Sequence, residues 1–445
     1  MTRIRYALWG LLLGMAGLWL LADSLLPRPF GYFPFRSVFV QLTGVLAIAA
    51  MSAAMVLAVR PAWLQPHLGG LDKMYRLHRW LGISALVIGA VHWWFAQGTK
   101  WMVGWGWLER PVRGGSRGGV PLEGLRGWLA SQRGLAEDIG EWAFYAFVIL
   151  AVIALSRRVR YEHFRTTHKA LLVVYPLLAW HTVVLAKPAY WTQPVGWALA
   201  ALLLAGLAAT LWILAGRVGH GRKVAGRIAS LDDHPQSRVM EIGVELGPGW
   251  RGHRAGQFAF VTTDKAEGAH PFTMASAWPD DGPVLFVVKA LGDHTAHLRE
   301  QLRVGQPVVV EGPYGCFDFE DGHGRQIWIG AGIGITPFIA RMKQLAREGR
   351  TQRIDLYHAV MRRDPSVLDK LAGDARAAGV TLHLHVTDDT GELLTGAKIR
   401  GELPDWGQAS VWFCGPSAFG AAVRADFMRH GLPREAFHQE LFEFR

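Results

Sequence analysis

Residues 77–95 of the chain read LHRWLGISALVIGAVHWWF. A helix needs about 20 mainly apolar residues to cross a hydrocarbon core about 30 Å thick, and this stretch reaches that length. It contains His78 and His92, which are 14 positions apart. In an α-helix that step rises about 21 Å and returns to within about 40° of the same face. The stretch therefore predicts a membrane-spanning helix that presents two imidazoles to one neighbour at two depths.

Five further apolar stretches are long enough, or nearly so, to cross a membrane: 6–26, 37–59, 139–155, 169–185 and 195–215. All of them lie in the first half of the chain, where residues 1–219 carry a net charge of +13 and the remainder −2. Because this basic excess is interspersed with apolar runs, it does not indicate a nucleic-acid-binding surface. We expect six spans followed by a soluble half. A signal peptide is the alternative for the first stretch, but residues 21–24 form a poor cleavage site.

Lys and Arg residues near the span ends indicate which side faces the cytoplasm. One side carries Arg3, Arg5, Arg60, Lys73, Arg76, Arg79, Arg157, Arg158, Arg160, Arg165, Arg217, Arg222 and Lys223. The other carries Arg28, Arg36, Lys187 and the long connection 97–138. We therefore predict a multi-pass protein of the cell (inner) membrane, with its N-terminus and its second half in the cytoplasm.

The fifth span contains a second histidine pair, His168 and His181. Their 13-residue step leaves about 140° between them on an ideal helix, and Pro176 lies between them, where it can kink the helix. Two facing helices with two histidines each suit two stacked haems, each bound by one imidazole per helix. His78 is then expected to pair with His168 near the cytoplasm, and His92 with His181 further out. The alternative for any single histidine is a hydrogen bond between helices.

The second half of the chain changes to short β-type runs after Gly216. The runs at 239–244, 258–262, 284–288 and 307–311 predict an antiparallel barrel. From residue 326, strands at 327–329, 354–360, 382–386 and 410–413 alternate with helices that extend to 347 and over 366–378 and 417–430, which predicts a parallel sheet. We expect domains at 1–216, 217–320 and 321–445. The two cysteines, Cys316 and Cys414, are too few for a disulfide scaffold or a Cys-based metal site.

A glycine-rich turn lies between the strand at 327–329 and the helix after it. Gly330, Gly332 and Gly334 permit a close backbone approach, while Thr336 is expected to cap the helix, with Pro337 in its first turn. The positive end of a helix attracts a pyrophosphate, which predicts a nucleotide-binding site here. The alternative is an ordinary tight strand-to-helix turn.

An ordered set of motifs accompanies the histidine pairs: HPFT at 270–273, GDHT at 292–295, EGPYG at 311–315, GAGIGITP at 330–337 and CGP at 414–416. Over residues 30–445 the chain resembles the ferric reductase and NADPH oxidase superfamily, and in particular its compact prokaryotic members. The resemblance implies a six-helix haem-binding membrane bundle fused to a ferredoxin-reductase-like module. That module would contain an antiparallel β-barrel for FAD and an α/β domain for NAD(P)H.

The resemblance also implies the roles of individual residues. FAD would be bound by Arg254, Gly256, Gln257, His270, Pro271, Phe272, Thr273, Lys289, Gly292 and Thr295, with Thr273 hydrogen-bonded to the isoalloxazine ring and Lys289 and Thr295 at the phosphates. The nucleotide would contact Gly330, Gly332, Gly334, Thr336, Pro337, Arg362, Arg363, Cys414, Gly415 and Pro416. Cys414 would lie near the reactive nicotinamide carbon. An aromatic residue, Phe442 or Phe444, would cover the flavin until nicotinamide displaces it.

The choice of nucleotide depends on the end of the strand at 354–360. An acidic side chain there binds the ribose hydroxyls of NADH, whereas an arginine accommodates the 2′-phosphate of NADPH. Arg362 and Arg363 follow this strand, and the resemblance aligns Arg363 with the phosphate-binding arginine, so NADPH is expected. Asp364 comes next, and NADH stays possible.

The expected activity is electron transfer from cytoplasmic NAD(P)H through FAD and two haems to an acceptor on the outer face. We expect oxygen as the acceptor, with superoxide as the product, and a ferric chelate is the alternative acceptor. Arg36 is a candidate contact for a haem propionate or for superoxide, and its alternative role is that of an interfacial anchor. An electron-delivering subunit for a quinone or periplasmic partner, docked through 97–138, is a rival interpretation, and a haem-binding sensor a weaker one. We expect the lipid bilayer as surroundings, no nucleic acid and no obligate protein partner.

Overall fold

The computed structural model describes residues 1–109, 124–156, 158–264, 267–278, 282–290, 293–349 and 352–441. The chain divides into two compact units. Unit 1 comprises Met1–Leu64 and Lys73–Val218, and unit 2 comprises Gln65–Asp72 and Gly219–Arg445. A short segment that ends with the first two residues of the third span is therefore part of the second unit. The further division of the second half at residue 321 stays a prediction.

The first half of the chain is helical, as its apolar runs predict. Its helices are α1 (Thr2–Ala22), α2 (Tyr32–Ala58), α3 (Gln65–Leu68), α4 (Leu71–Trp93), α5 (Thr99–Gly104), α6 (Gly124–Ser131), α7 (Arg133–Leu155), α8 (Tyr161–Lys169), α9 (Leu171–Leu185) and α10 (Pro194–Leu214). Within the described residues, six helical spans are long and apolar enough to cross a membrane: Thr2–Ala22, Tyr32–Ala58, Leu71–Gly104, Arg133–Leu155, Glu162–Leu185 and Pro194–Leu214. The prediction of six spans is confirmed, and all six begin earlier than the apolar runs do.

The fifth span is interrupted between its two histidines. Helix α8 ends at Lys169, Ala170 forms a turn, and α9 begins at Leu171. Around the turn, the Ala170 N–H bonds to the Thr167 carbonyl, a three-residue instead of a four-residue step. Further along, Pro176 has no N–H to donate to the preceding turn of α9. The ideal-helix angle of about 140° between His168 and His181 therefore does not apply to this span.

The second half begins with a six-stranded antiparallel sheet. Its strands are β1 (Lys223–His234), β2 (Val239–Leu246), β3 (Phe258–Thr262), β4 (His270–Thr273), β5 (Val284–Lys289) and β6 (Pro307–Tyr314), in the order β4-β3-β6-β1-β2-β5. The two edges approach each other at an isolated bridge between Met274 and Phe286, so the sheet curls into a half-barrel. Its interior is an apolar cluster that includes Ile242, Phe286 and Val310.

A five-stranded parallel sheet follows, with helices between its strands. Its strands are β7 (Arg325–Ala331), β8 (Arg353–Val360), β9 (Thr381–Val386), β10 (Ser410–Cys414) and β11 (Phe437–Gln439), in the order β11-β10-β7-β8-β9. The helices of this half are α11 (Asp293–Gln301), α12 (Thr336–Glu348), α13 (Pro365–Ala377), α14 (Thr387–Thr390), α15 (Gly396–Glu402) and α16 (Ser417–Arg429). The predicted fold class, a membrane helix bundle followed by an antiparallel and then a parallel sheet, is confirmed.

One local prediction is wrong. Thr336 does not cap α12 but is its first residue, and Ile335 occupies the capping position without a side-chain hydrogen bond. The Thr336 hydroxyl instead donates to the Ile333 carbonyl at 2.8 Å. The reason is that Gly332–Ile335 already form a 3-10 turn, which places the helical geometry one residue earlier than the Thr-Pro pair suggests.

Candidate functional site

The four span histidines form two pairs in unit 1. The ring centroids of His78 and His168 are 5.9 Å apart, and those of His92 and His181 are 6.3 Å apart. Helix α4 provides one ring of each pair, while α8 and α9 provide the other two. His78 is therefore paired with His168 and His92 with His181, because the break at Ala170 lets both histidines of the fifth span face α4.

Backbone carbonyls orient three of these rings through their Nδ1 atoms. His78 contacts the Ala54 carbonyl at 2.9 Å, His92 the Val40 carbonyl at 3.0 Å, and His181 the Ala136 carbonyl at 2.7 Å. A carbonyl only accepts hydrogen bonds, so each Nδ1 carries the proton and Nε2 keeps its lone pair. For His168, Nδ1 is buried without a hydrogen-bond partner in the described part of the chain.

Two glycines make room for the outer pair. A methyl group at Gly140 of α7 would overlap the His181 ring, and one at Gly44 of α2 would lie 3.1 Å from Cε1 of His92. The sequence analysis missed both positions, since small residues are common in membrane helices and their partners are distant in sequence.

Arg36 donates hydrogen bonds to the helical turn that lies beyond His92. Its Nε donates to the Phe95 carbonyl at 2.7 Å, and its Nη2 donates to the Ala96 carbonyl at 2.8 Å. Both carbonyls belong to a π-helical turn, Trp94–Gly98, between α4 and α5. The role that these contacts support for Arg36 is therefore to fasten the π-helical turn that joins α4 to α5.

The structure brings the predicted flavin residues of the antiparallel sheet together. In β4, Thr273 pairs with Phe258 of β3. Just before β3, the Gln257 amide donates to the Gly315 carbonyl at 3.2 Å and its oxygen accepts the Arg254 N–H at 2.9 Å. Any side chain at Gly256, where φ is +88°, would overlap the Phe317 carbonyl. The loop 254–257, the strand 270–273 and the turn at Gly315 therefore form one continuous surface; His270, Pro271 and Phe272 are half-buried on it.

The predicted phosphate residues lie at the end of the edge strand β5 and in the segment that follows it. Lys289 ends β5, and Thr295 is half-buried in α11, while Gly292 lies outside the described residues. Lys289 is also close to His358 of β8, a buried residue that the sequence analysis missed. Burial, partly offset by a hydrogen bond to the Gly330 carbonyl and reinforced by Lys289, lowers the pKa of His358 to about 4. His358 is therefore neutral at physiological pH beside the glycine-rich turn.

The glycine-rich turn and the CGP motif lie side by side. Gly330 of β7 pairs with Cys414 of β10, and a side chain at Gly334 would overlap the Cys414 carbonyl. Gly332 has φ +55° and Gly415 φ +159°, while Pro416 precedes α16. Pro337 lies in the first turn of α12, as the sequence predicts.

Cys414 is buried next to two carboxylates. Burial, with further contributions from Glu440 and Asp72, raises the pKa of the Cys414 thiol well above its usual value. The thiol is therefore neutral, and its sulfur is a weak nucleophile. Neither Glu440 nor Asp72 was found from the sequence, because each is distant in sequence from Cys414. Phe442 and Phe444 lie outside the described residues.

The two predicted 2′-phosphate arginines lie at the surface. Arg363 donates to Asp389 at 2.7 Å, and Arg362 is 3.4 Å from Asp388. Both ion pairs are solvent-exposed and hence weak. Asp364, by contrast, is buried and accepts a hydrogen bond from the Ser366 hydroxyl at 2.8 Å. Its carboxylate therefore already accepts a hydrogen bond from the first turn of α13.

Comparisons with known proteins agree with this arrangement. Residues 43–179 match a family described as "Ferric reductase like transmembrane component". The reductase component of propane 2-monooxygenase from Rhodococcus jostii is 23% identical over 42% of this chain and 55% of that protein. Respiratory burst oxidase homolog protein E from Arabidopsis thaliana is 28% identical over 45% of this chain and 23% of that protein. The chain thus spans about half, or less, of the length of these curated relatives.

Among solved structures, the Amycolatopsis cytochrome P450 reductase GcoB is similar, with a TM-score of 0.44, 22% identity, and coverage of 50% of this chain and 70% of that one. Phthalate dioxygenase reductase is also similar, with a TM-score of 0.42, 22% identity, and coverage of 49% of this chain and 67% of that one. The family match over residues 43–179 and the oxidase relative agree with the resemblance of this chain to the superfamily of ferric reductases and NADPH oxidases.

Proposed function

We propose that the chain is a transmembrane oxidoreductase that takes electrons from cytoplasmic NAD(P)H and delivers them, through FAD and two b-type haems, to an acceptor on the outer face. Two histidine pairs carry the proposal: the ring centroids are 5.9 Å apart in the pair His78–His168 and 6.3 Å apart in the pair His92–His181. Both pairs belong to the same chain as a reductase-like fold. An electron path through a membrane needs redox groups at two depths, and His78 and His92 on α4 provide two.

The histidine pairs fit haem iron in distance and in chemistry. Metal–imidazole bonds are about 2.0–2.1 Å long, so two imidazoles on one metal ion place their ring centres about 6.4 Å apart. Both measured separations lie close to this value. The protonated Nδ1 atoms of His78, His92 and His181 leave Nε2 available as a ligand. His78 and His168 would hold the inner haem, and His92 and His181 the outer one.

The flavin and nucleotide would be bound by unit 2. Thr273 and the loop 254–257 would contact the flavin ring, and Lys289 would supply positive charge at the phosphates. The glycine-rich turn 330–334 and the start of α12 would bind the dinucleotide phosphates. When bound, FAD converts the two electrons of a hydride into single electrons, which the haems pass on.

The residues of this chain position the reactants and keep side reactions low. The neutral Cys414 thiol would border the nicotinamide without attacking it. The carbonyl contacts of His78, His92 and His181 fix the orientations of these three rings. Together with His168 they would hold the two haems, which would supply one-electron transfer.

We propose oxygen as the first acceptor to test, with superoxide as product, and NADPH as the preferred donor. A ferric chelate is the alternative acceptor, and delivery to a quinone or a periplasmic protein is the rival. The test is an anaerobic visible spectrum of the FAD-supplemented protein before and after NADPH, followed by oxygen. We expect a reduced low-spin haem signal at about two haems per chain and fast reoxidation with superoxide formed.

The outcomes separate the alternatives. Slow reoxidation that ferric chelates accelerate would assign the protein as a ferric reductase. If oxygen and ferric chelates both reoxidise the haems slowly, and rapid electron transfer requires an added outer redox protein, the chain is an electron-delivering subunit. If the purified protein binds no haem, the proposal is wrong.

A histidine substitution locates the path. In His92→Ala we expect NADPH to reduce the flavin at the wild-type rate, while reduction of an outer acceptor is lost. The matched control is His163→Ala, which removes an exposed histidine of α8. Survival of outer-acceptor reduction in His92→Ala would contradict the haem assignment.

A further inference from the structure

We infer that Glu241 and Lys370 are positioning residues for the loop that carries Arg363, so that the hairpin formed by β1 and β2 contributes to the selection of NADPH over NADH. Glu241 lies on β2 of the antiparallel sheet, and Lys370 lies on α13 beside the parallel sheet. The Lys370 ammonium donates to both carboxylate oxygens of Glu241, at 2.8 and 2.6 Å. Both residues belong to unit 2. The inference deepens the proposed function and rests on it for its kinetic consequence.

The surroundings of this ion pair strengthen it. The Glu241 side chain is 16% exposed and that of Lys370 is 49% exposed. Exposed pairs are weak, but burial of one partner and charge-assisted hydrogen bonds to both oxygens increase the contribution. On α13, burial raises the pKa of the Asp374 carboxyl, an effect that Lys343 and Lys370 oppose and Glu241 reinforces. Lys370 therefore lies near two carboxylates, which would face each other without it.

A second contact joins the tip of the hairpin to the first turn of α13. The Ser366 hydroxyl lies 3.5 Å from Nδ1 of His234, and it donates to Asp364 Oδ1 at 2.8 Å. Burial raises the pKa of the Asp364 carboxyl, but the neighbouring Ser366 and Ser237 hydroxyls lower it below its usual value. His234 and Ser237 belong to the hairpin, and Asp364 directly follows Arg363. The hairpin therefore contacts the chain immediately beside the arginine.

The tip of the hairpin is itself attached to the rest of its sheet. Arg238 has φ +55°, a left-handed conformation that is uncommon for residues other than glycine. Its carbonyl accepts the N–H of Ala290 at 3.0 Å. Next to it, Val239 pairs with Lys289, the last residue of β5. The tip is thus held at the end of β5, where the FAD phosphates are expected, and it gives α13 a fixed support.

Helix α14 supports the arginine loop from the other side. The N–H of Asp388 donates to the Met361 carbonyl at 3.0 Å. The side chains of Arg362 and Arg363 pair with Asp388 and Asp389, but these pairs are exposed. The loop 361–364 therefore lies between α14 and the contacts of the hairpin. If the hairpin contact is lost, binding must order the loop, and this ordering costs affinity for a ligand that contacts Arg363.

The test compares Glu241→Gln, Lys370→Met and the double variant in the full-length, FAD-supplemented protein. In each we expect amide hydrogen exchange in the peptide 361–370 to accelerate about threefold or more. The KM for NADPH should rise about fivefold and the KM for NADH should stay within about twofold, because NADH has no 2′-phosphate. The double variant should resemble the single ones, since all three remove the same bond. Glu245→Gln, an exposed acid of the same strand, is the matched control.

The Arg363→Ala background separates a positioning role from a general structural one. Without Arg363 no contact with the 2′-phosphate is left to position, so adding Glu241→Gln should change the KM for NADPH by less than about twofold. Equal increases in KM for both nucleotides, effects of the two substitutions that multiply, or unchanged exchange in Glu241→Gln would each overturn the inference. If the wild type oxidises neither nucleotide, the proposed function fails, while the exchange measurement and the dissociation constants of NADP⁺ and NAD⁺ still decide the role of Glu241.

Discussion

At the scale of single residues, the site depends on what surrounds each histidine as much as on the histidine itself. His181 is fixed by the Ala136 carbonyl at 2.7 Å on one side and lies against Gly140 on another. Both partners belong to α7, which contributes no predicted ligand. A side chain that is larger than hydrogen at residue 140 must therefore displace either the imidazole or the helix.

Gly140→Ala tests this packing. We expect the haem content to fall from about two to about one per chain, because the added methyl group overlaps the His181 ring and overpacking a tight contact costs about 1–3 kcal/mol. Gly134→Ala is the matched control, since it lies in the same helix with no atom within 4 Å of the added methyl group. Two haems per chain with unchanged midpoint potentials in Gly140→Ala would contradict the assignment of His181.

Replacement of Arg363 tests whether the chain prefers NADPH to NADH. Its exposed ion pair with Asp389 is weak enough to be exchanged for a phosphate. In Arg363→Ala we expect the KM for NADPH to rise about tenfold and the KM for NADH to stay within about twofold, because NADH has no 2′-phosphate. Steady-state kinetics with both nucleotides measures this, with Arg376→Ala, an exposed arginine of α13, as control. Equal changes for both nucleotides would remove Arg363 from the specificity site.

At the scale of secondary-structure elements, the interrupted fifth span explains how two histidines 13 positions apart can both face α4. An unbroken helix would turn them about 140° apart, and the turn at Ala170 removes that constraint. Among the helices around the parallel sheet, an ion pair joins α15 to α16.

The pair between α15 and α16 gives a prediction for pH. Arg400 donates to Asp426 at 2.8 Å, with both side chains 17% exposed. The hydrogen bond from Arg400 holds the pKa of the Asp426 carboxyl below its usual value of 3.8. A carboxyl with a lowered pKa stabilises the fold above the usual pKa, and this contribution is lost as pH falls through the folded-state value.

We therefore expect Asp426→Asn to destabilise unit 2 by about 1–2 kcal/mol at neutral pH. The difference from wild type should shrink as the pH falls below the usual carboxyl pKa of 3.8, and it should disappear only below the lowered folded-state pKa, where the wild-type carboxyl is also protonated. Thermal unfolding, followed by flavin fluorescence at several pH values, measures the destabilisation and its pH dependence. Asp369→Asn is the control, since Asp369 is an exposed carboxyl. A difference in stability that grows on acidification would contradict the prediction.

At the scale of the whole molecule, the proposed path requires donor and acceptor on opposite faces of one membrane. In sealed vesicles that hold the protein in a single orientation, NADPH should be oxidised only when it is added on the face where unit 2 lies. Reduction of a membrane-impermeant acceptor should occur only on the other face. Vesicles of the opposite orientation are the control. Oxidation and reduction on the same face would mean that electrons leave from the flavin and do not cross the bilayer.

The sequence by itself determined the elements. Apolar length predicts the six spans, alternating runs predict strands such as 258–262, and glycine spacing predicts the turn at 330–334, because each of these signals is local along the chain. Only the tertiary structure decided which groups meet. The carbonyls that orient His78 and His92, the glycine against His181 and the bond from Leu441 to Asp72 join residues that are distant in sequence. A periodic pattern specifies the face that a side chain lies on, but the partner on that face is set by packing.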